Sequence, residues 1–163
     1  MSKWLKWLLV FSLVVAFVVV GYLRDFIAVN LNYHLHHIQN HTEFSSAHSF
    51  FDFLNNLSFW QLYSAKYLLT AVFTLLNFGL SYFLLRLVIV QKSMIKILVW
   101  KYIVVTAVAM LFFGGGFLVG NSEGGYSFSR LLMGYLQSPV PAAILLFAYP
   151  LYRKSLHGEH TNG

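Results

Sequence analysis

The residues of this chain best suited to chemistry are histidines between positions 34 and 48. On a helix, His34, His37 and His41 would share one face, because offsets of three and seven residues return to the same side. Three imidazoles on one face suit zinc or copper, and His48 or Asp52 could complete the coordination shell. The pattern predicts a metal site formed by His34, His37, His41 and His48. A polar interfacial stretch without metal explains the same residues.

The rest of the sequence carries no recognisable catalytic constellation. The apolar runs hold no paired carboxylates, no Ser-His-Asp arrangement and no glycine loop of the nucleotide-binding type. The chain has no cysteine, which excludes disulfides, thiolate nucleophiles, cysteine-ligated zinc and iron–sulfur clusters. We therefore predict a protein that is not an enzyme and has no cofactor.

The composition is that of a membrane protein. Hydrophobic residues make up 58% of the 163 residues and charged residues only 10%, against roughly 25% charged in an ordinary globular domain. A soluble domain of this length could not bury so much apolar surface. The net charge of +6 does not indicate nucleic-acid binding, because the lysines and arginines flank apolar runs instead of forming one basic surface.

Four apolar runs are long enough to cross a bilayer, whose hydrocarbon core of about 30 Å requires roughly 20 helical residues. They cover residues 4–23, 67–90, 95–120 and 131–152. Because the runs are continuous and do not alternate with polar residues, they predict helices and not the strands of a barrel. We predict an all-α polytopic membrane protein with one domain, residues 1–163, built as a bundle of four transmembrane helices. A secretory signal is the alternative for the first run, but its length and the absence of a small-x-small cleavage site favour a retained anchor.

The long connection, residues 24–61, is predicted to be an outer loop that is partly helical. It mixes apolar and polar residues at helical spacing, which is typical of two short helices lying on a membrane surface. Lysine and arginine are concentrated on the side of the two termini, so we predict that both the N-terminus and the C-terminus are cytoplasmic.

Charged residues border the outer ends of two spans. Lys66 precedes the second span and Arg130 precedes the fourth. Asp25, Asp52 or Glu123 could pair with them, because a charge close to the bilayer is costly unless it is neutralised. Such a pair would clamp the outer loop onto the bundle.

The fourth span contains the sequence Ser138-Pro139-Val140-Pro141. Two prolines remove two backbone donors, so we expect a kink. The freed carbonyls need donors from neighbouring helices, from Ser138 or from water, and the region should be buried in protein. The residues predicted to contact a partner or to act as a structural clamp are Asp25, Lys66, Arg130, Ser138, Pro139 and Pro141.

Two stretches carry a resemblance to a known family. They are Lys66-Tyr67-Leu68-Leu69-Thr70 and the fourth span, from Arg130 through Gln137-Ser138-Pro139 to the aromatic and basic end at residues 147–154. Together they resemble the small exosortase-system-associated membrane proteins of Bacteroidetes, of the exosortase F or X type. The resemblance implies a bacterial inner (cytoplasmic) membrane location. It also implies an accessory role beside a membrane transpeptidase that sorts proteins bearing a C-terminal signal.

The leading functional prediction is a non-catalytic integral membrane accessory protein of an exosortase-type cell-envelope sorting system. Its expected partners are the transpeptidase and the lipid bilayer, with no nucleic acid. A histidine-rich metal-binding membrane enzyme is one alternative. A small transporter or channel subunit is another, and it would need several copies because four spans without an inverted repeat do not make a carrier alone.

Overall fold

The computed structural model describes residues 2–40, 45–89 and 91–158, with side chains as far as residue 152. This part of the chain is helical and contains no strand, so the predicted all-α class is confirmed. A short 3-10 helix, Ser49–Asn56, lies between the first two α-helices. The α-helices are α1 (Lys3–Asn40), α2 (Phe59–Val88), α3 (Lys92–Leu118), α4 (Ser122–Leu136) and α5 (Val140–Gly158).

Three helices, α1, α2 and α3, are long and apolar enough to cross a membrane. The pair α4 and α5 meets the same criterion only when it is taken together, and the pair is bent by 57° at a short break. The chain is therefore suited to a multi-pass membrane protein with three spans, or four if the bent pair is one span. The predicted fourth span, 131–152, is two helices, and they separate where the two prolines predicted a kink.

The first helix is much longer than the predicted span 4–23. α1 continues to Asn40, so the first part of the predicted outer loop is an extension of this helix and not a separate surface helix. Neither glycine nor proline interrupts residues 22–40, and Leu31 and Leu35 continue the apolar face in this part. A helix of 38 residues is about 57 Å long. It therefore exceeds the hydrocarbon core of about 30 Å.

The second and third helices lie close to their predicted positions. α2 begins at Phe59 and not at residue 67, because Ser58 starts it with a capping arrangement. The Ser58 backbone N–H donates to the Gln61 side-chain oxygen at 2.8 Å, which satisfies a donor that the first turn leaves free. α2 ends at Val88 and α3 follows at Lys92, so a short connection joins the two helices.

We name the two ends of the bundle after the chain segments that lie there. The terminal end carries Lys3 and the α2–α3 connection, and the loop end carries the 3-10 helix and the α3–α4 connection. At the loop end the 3-10 helix covers α1 and α2 with a buried apolar cluster: Leu31, Leu35, Phe51, Leu54 and Leu62. The second half of the predicted loop is therefore packed against the bundle.

Toward the terminal end, α5 packs among the first three helices. Ala142 at its start is buried against Phe17 of α1 and Leu84 of α2. A larger buried cluster joins α2, α3, α4 and α5: Leu85, Ile89, Met94, Leu98, Tyr102, Leu136 and Leu145. The break between α4 and α5 consequently lies where the other helices converge.

The α3–α4 hairpin depends on two glycines. A Cβ atom on Gly125 would lie 2.5 Å from the Phe112 carbonyl oxygen and 2.8 Å from the Gly116 Cα. The two backbones can approach this closely only because neither residue has a side chain. Of the three consecutive glycines in α3, a Cβ atom on Gly114 or Gly115 would meet nothing within 4 Å.

Candidate functional site

The break between α4 and α5 leaves two backbone carbonyls without their helical donors. In a continuous helix, the carbonyl of Tyr135 would accept from residue 139 and that of Gln137 from residue 141. Both positions are proline, which has no N–H group. An unsatisfied carbonyl is costly in an apolar environment, so each of these groups needs another donor.

The intervening carbonyl, that of Leu136, also lacks its usual partner. Its donor in a continuous helix would be the Val140 N–H, which is 3.3 Å from the Ser138 hydroxyl oxygen. Ser138 thus binds the first residue of α5 and begins the new helix. The carbonyls of Leu136 and Gln137 therefore depend on side chains, whereas that of Tyr135 also accepts from the Ser138 backbone N–H at 3.3 Å.

All three carbonyls accept hydrogen bonds from side chains, and two of the donors come from other helices. The carbonyl of Tyr135 accepts from the Ser138 hydroxyl (2.7 Å), that of Leu136 from the Tyr102 hydroxyl (2.9 Å), and that of Gln137 from the Arg24 guanidinium (3.0 Å). Side chains of α1 and α3 thereby replace the donors that the break removes. A kink that faces lipid does not fit this arrangement, because Leu136 and Gln137 are buried.

The Gln137 side chain extends the same arrangement to α2. Its amide nitrogen donates to the Thr70 carbonyl at 2.8 Å and lies 3.1 Å from the Thr74 hydroxyl. Gln137 is only 8% exposed, so these bonds are shielded from solvent. We call this set the junction: Arg24, Thr70, Thr74, Tyr102 and residues 135–138.

Arg24 is neutralised by its neighbour in the chain. Two of its nitrogens donate to one carboxylate oxygen of Asp25, at 2.9 and 2.7 Å. We had expected Asp25 to pair with Lys66 or Arg130, but the Arg24 side chain reaches toward the break and holds the carboxylate beside α1. The pair brings both charges to the junction with no net charge.

Lys66 lies nearer the loop end and connects three helices. Its ammonium group donates to the Asn32 side-chain oxygen of α1 at 2.9 Å, and it lies 5.6 Å from the centre of the Tyr126 ring of α4. Lys66 of α2 thus contacts both α1 and α4, and its predicted role as a structural clamp stays a prediction. The contacts are an amide and an aromatic ring, and they are not the carboxylate that the sequence suggested.

Arg130 lies on the same side of α4 as two residues that face α2. It follows Tyr126 by four positions and precedes Gln137 by seven, and such offsets share one helix face. Arg130 is exposed, and it makes no hydrogen bond or ion pair within the described part of the chain. Of the two prolines at the break, Pro139 is exposed and Pro141 is buried.

The histidines are spread over several local roles. His34 is 1% exposed and its Nδ1 is 3.4 Å from the Ser45 hydroxyl. His48 is exposed, and its Nδ1 accepts from the Phe50 N–H at 3.1 Å, which caps the 3-10 helix. Across residues 2–40, 45–89 and 91–152 no three His, Asp or Glu side chains lie close enough to hold a metal ion. His41 lies outside the described residues, so the site of His34, His37, His41 and His48 stays a prediction.

Comparison with protein-family models, curated proteins and solved structures gives no match. The likeness to exosortase-associated proteins therefore stays a prediction.

Sequence reasoning found the proline break but missed the partners of its carbonyls. One signal was available for α2, where polar residues recur at helical spacing in an apolar span, at positions 70, 74, 77 and 81. Arg24 looked like the end of a span, and Tyr102 looked like one aromatic residue among many. No local pattern connects either of them to residues more than 30 positions away.

We expect Tyr102→Phe to destabilise the bundle. The change removes the hydroxyl that donates to the buried Leu136 carbonyl, at a cost of about 1–3 kcal/mol. The free energy of unfolding, measured by SDS titration of the purified protein in mixed micelles, tests this. Tyr82→Phe is the matched control, because the Tyr82 hydroxyl accepts from Arg86 at an exposed position. Equal losses in the two variants would contradict a special role for Tyr102.

Proposed function

We propose that the protein is a non-catalytic accessory subunit of an exosortase-type protein-sorting system in a bacterial cytoplasmic membrane. The observation that carries the proposal is the use of the polar groups at the junction. Arg24, Tyr102 and Gln137 each donate to a backbone carbonyl of the chain itself. Groups engaged in this way hold a scaffold together and are not available as acids, bases or nucleophiles.

The scaffold presents features that suit a partner within the membrane. The break leaves Pro139 and Val140 exposed on the surface, and Arg130 is exposed one to two turns before it. At the loop end of α3, Leu118 and Val119 are 90% and 83% exposed. A polytopic partner could bind the apolar tip by packing and the arginine by a hydrogen bond or an ion pair.

Deletion of the gene in the native organism tests the proposal. We expect a cargo protein with a C-terminal sorting signal to accumulate in its uncleaved form, as seen by immunoblotting. Complementation with the natural chain should restore cleavage. Complementation with Arg130→Ala should restore it only in part, whereas Lys96→Ala, a change at an exposed lysine of α3, should restore it fully.

The amount of the transpeptidase is measured in the same membranes. An unchanged amount shows that the cleavage defect does not arise from loss of that enzyme. Normal cargo cleavage in the deletion strain would refute the accessory role.

A further inference from the structure

We propose that the phosphate headgroup of an anionic lipid binds where Lys66 of α2 contacts α1 and α4. The proposed site, called here the cationic groove, comprises Asn32, Lys66, Tyr126 and Arg130. The inference goes beyond the proposed function, because it concerns a ligand of this chain alone.

The first argument is the uncompensated charge of Lys66. Its ammonium group has three donors, and one of them binds the neutral Asn32 amide. The Tyr126 ring contributes an attraction to the cation but no negative charge. Lys66 is partly buried, and in the described part of the chain no carboxylate lies within ion-pair distance of it. A partly buried cation of this kind favours an anion as its missing partner.

The second argument is the position of Arg130. It follows Tyr126, whose ring lies beside Lys66, by four positions and shares its face of α4, so we include Arg130 in the proposed site. Arg24 contributes no net charge there, since Asp25 neutralises it. Neither Lys66 nor Arg130 has an ion-pair partner in the described part of the chain, and a phosphate group can bind both, with the arginine in a bidentate manner.

The third argument is the depth of the groove in the membrane. Lys66 stands among aromatic residues that are typical of the headgroup layer: Trp60, Tyr63, Tyr67 and Tyr126. The hydroxyl of Tyr67 donates to that of Tyr63 at 2.8 Å, and their rings are 5.0 Å apart. Polar groups of amphipathic rings lie at the level of lipid phosphates. The two cations are therefore placed where a phosphate is available.

The fourth argument is the apolar surface beside the cations. Val29, three residues before Asn32, is 47% exposed, and Leu131, next to Arg130, is 66% exposed. These side chains offer a surface for an acyl chain. A lipid satisfies both the charged and the apolar part of the groove, whereas a free phosphate ion satisfies only the first.

Native mass spectrometry of the purified, delipidated protein tests the proposal. Phosphatidylglycerol and phosphatidylcholine are the lipid probes, and inorganic phosphate is the competitor. We expect the natural chain to bind phosphatidylglycerol in preference to phosphatidylcholine. The double variant Lys66→Gln with Arg130→Gln should bind phosphatidylglycerol about tenfold more weakly, as loss of charge-assisted hydrogen bonds predicts.

Two control variants accompany the test. Lys96→Gln removes an exposed lysine of α3 and should leave lipid binding unchanged. Lys66→Arg keeps the charge and should retain binding, which separates loss of the site from misfolding. Equal binding by the double variant and the natural chain would overturn the proposal. Displacement of the lipid by an equal concentration of inorganic phosphate would overturn it as well, because the site would then recognise a free anion.

Discussion

Gly125→Ala is expected to lower the free energy of unfolding by about 3 kcal/mol, at the upper end of the range for overpacking. The added methyl carbon would lie 2.5 Å from the Phe112 carbonyl oxygen and 2.8 Å from the Gly116 Cα. Both neighbours are backbone atoms, so relief requires α3 and α4 to move apart. That movement would also disturb the contact between the Phe112 and Phe128 rings, whose centres are 4.3 Å apart.

The control for this prediction is Gly134→Ala in the same helix. A Cβ atom on Gly134 meets nothing within 4 Å, and alanine favours a helix over glycine by about 1 kcal/mol. Gly134→Ala should therefore be neutral or stabilising in the same SDS titration. The close contact of α3 and α4 would be refuted if both variants unfolded at the SDS concentration of the natural chain.

Arg24→Gln is expected to destabilise the protein by about 1–3 kcal/mol, because the buried carbonyl of Gln137 would lose its donor. The change also leaves the carboxylate of Asp25 without its partner. SDS titration gives the free energy of unfolding, and Arg86→Gln is the control. Arg86 is exposed and, among the residues that the structure describes, donates to the Tyr82 hydroxyl alone, so its replacement should lower the free energy of unfolding little.

A second change shows whether the cost of Arg24→Gln arises at the break. Pro141→Ala restores a backbone N–H at the position from which a continuous helix would bind the Gln137 carbonyl. We expect Arg24→Gln to lower the free energy of unfolding less in a protein that also carries Pro141→Ala than in one that carries Pro150→Ala. Pro150 is the matched control, because it lies inside α5 and away from the junction. If Arg24→Gln lowered the free energy of unfolding equally in the two backgrounds, the stabilisation by Arg24 would not arise from its bond to the Gln137 carbonyl.

The helices themselves were largely predictable from the sequence. Continuous apolar runs require helices in a bilayer, and the lysines at residues 92 and 96 marked the start of α3 correctly within a few residues. The extension of α1 was not predicted, because Arg24 and Asp25 looked like the end of a span. Their charges form a pair with each other, so the helix can continue through them, and Leu31 and Leu35 bind it to the 3-10 helix and α2.

The candidate site was predictable only in part. Two prolines in one predicted span imply missing backbone donors, so the carbonyls left behind need other hydrogen-bond donors. The sequence does not say which side chains provide them, because Arg24 and Tyr102 reach the break from other helices. The place of Lys66 at the end of a span indicated that its charge needs a partner. Its contacts, Asn32 and Tyr126, are neutral, and the sequence did not predict them because it suggested carboxylates.

The bend between α4 and α5 has a consequence for how a span formed by this pair would enter a membrane. The pair is apolar enough to cross a membrane only as a whole, and two carbonyls at its break accept from donors of α1 and α3. In lipid alone these two carbonyls would lack donors, which is costly. Packing against α1 and α3 would therefore complete the insertion of the pair, so that membrane insertion and tertiary folding would be coupled in this part of the chain.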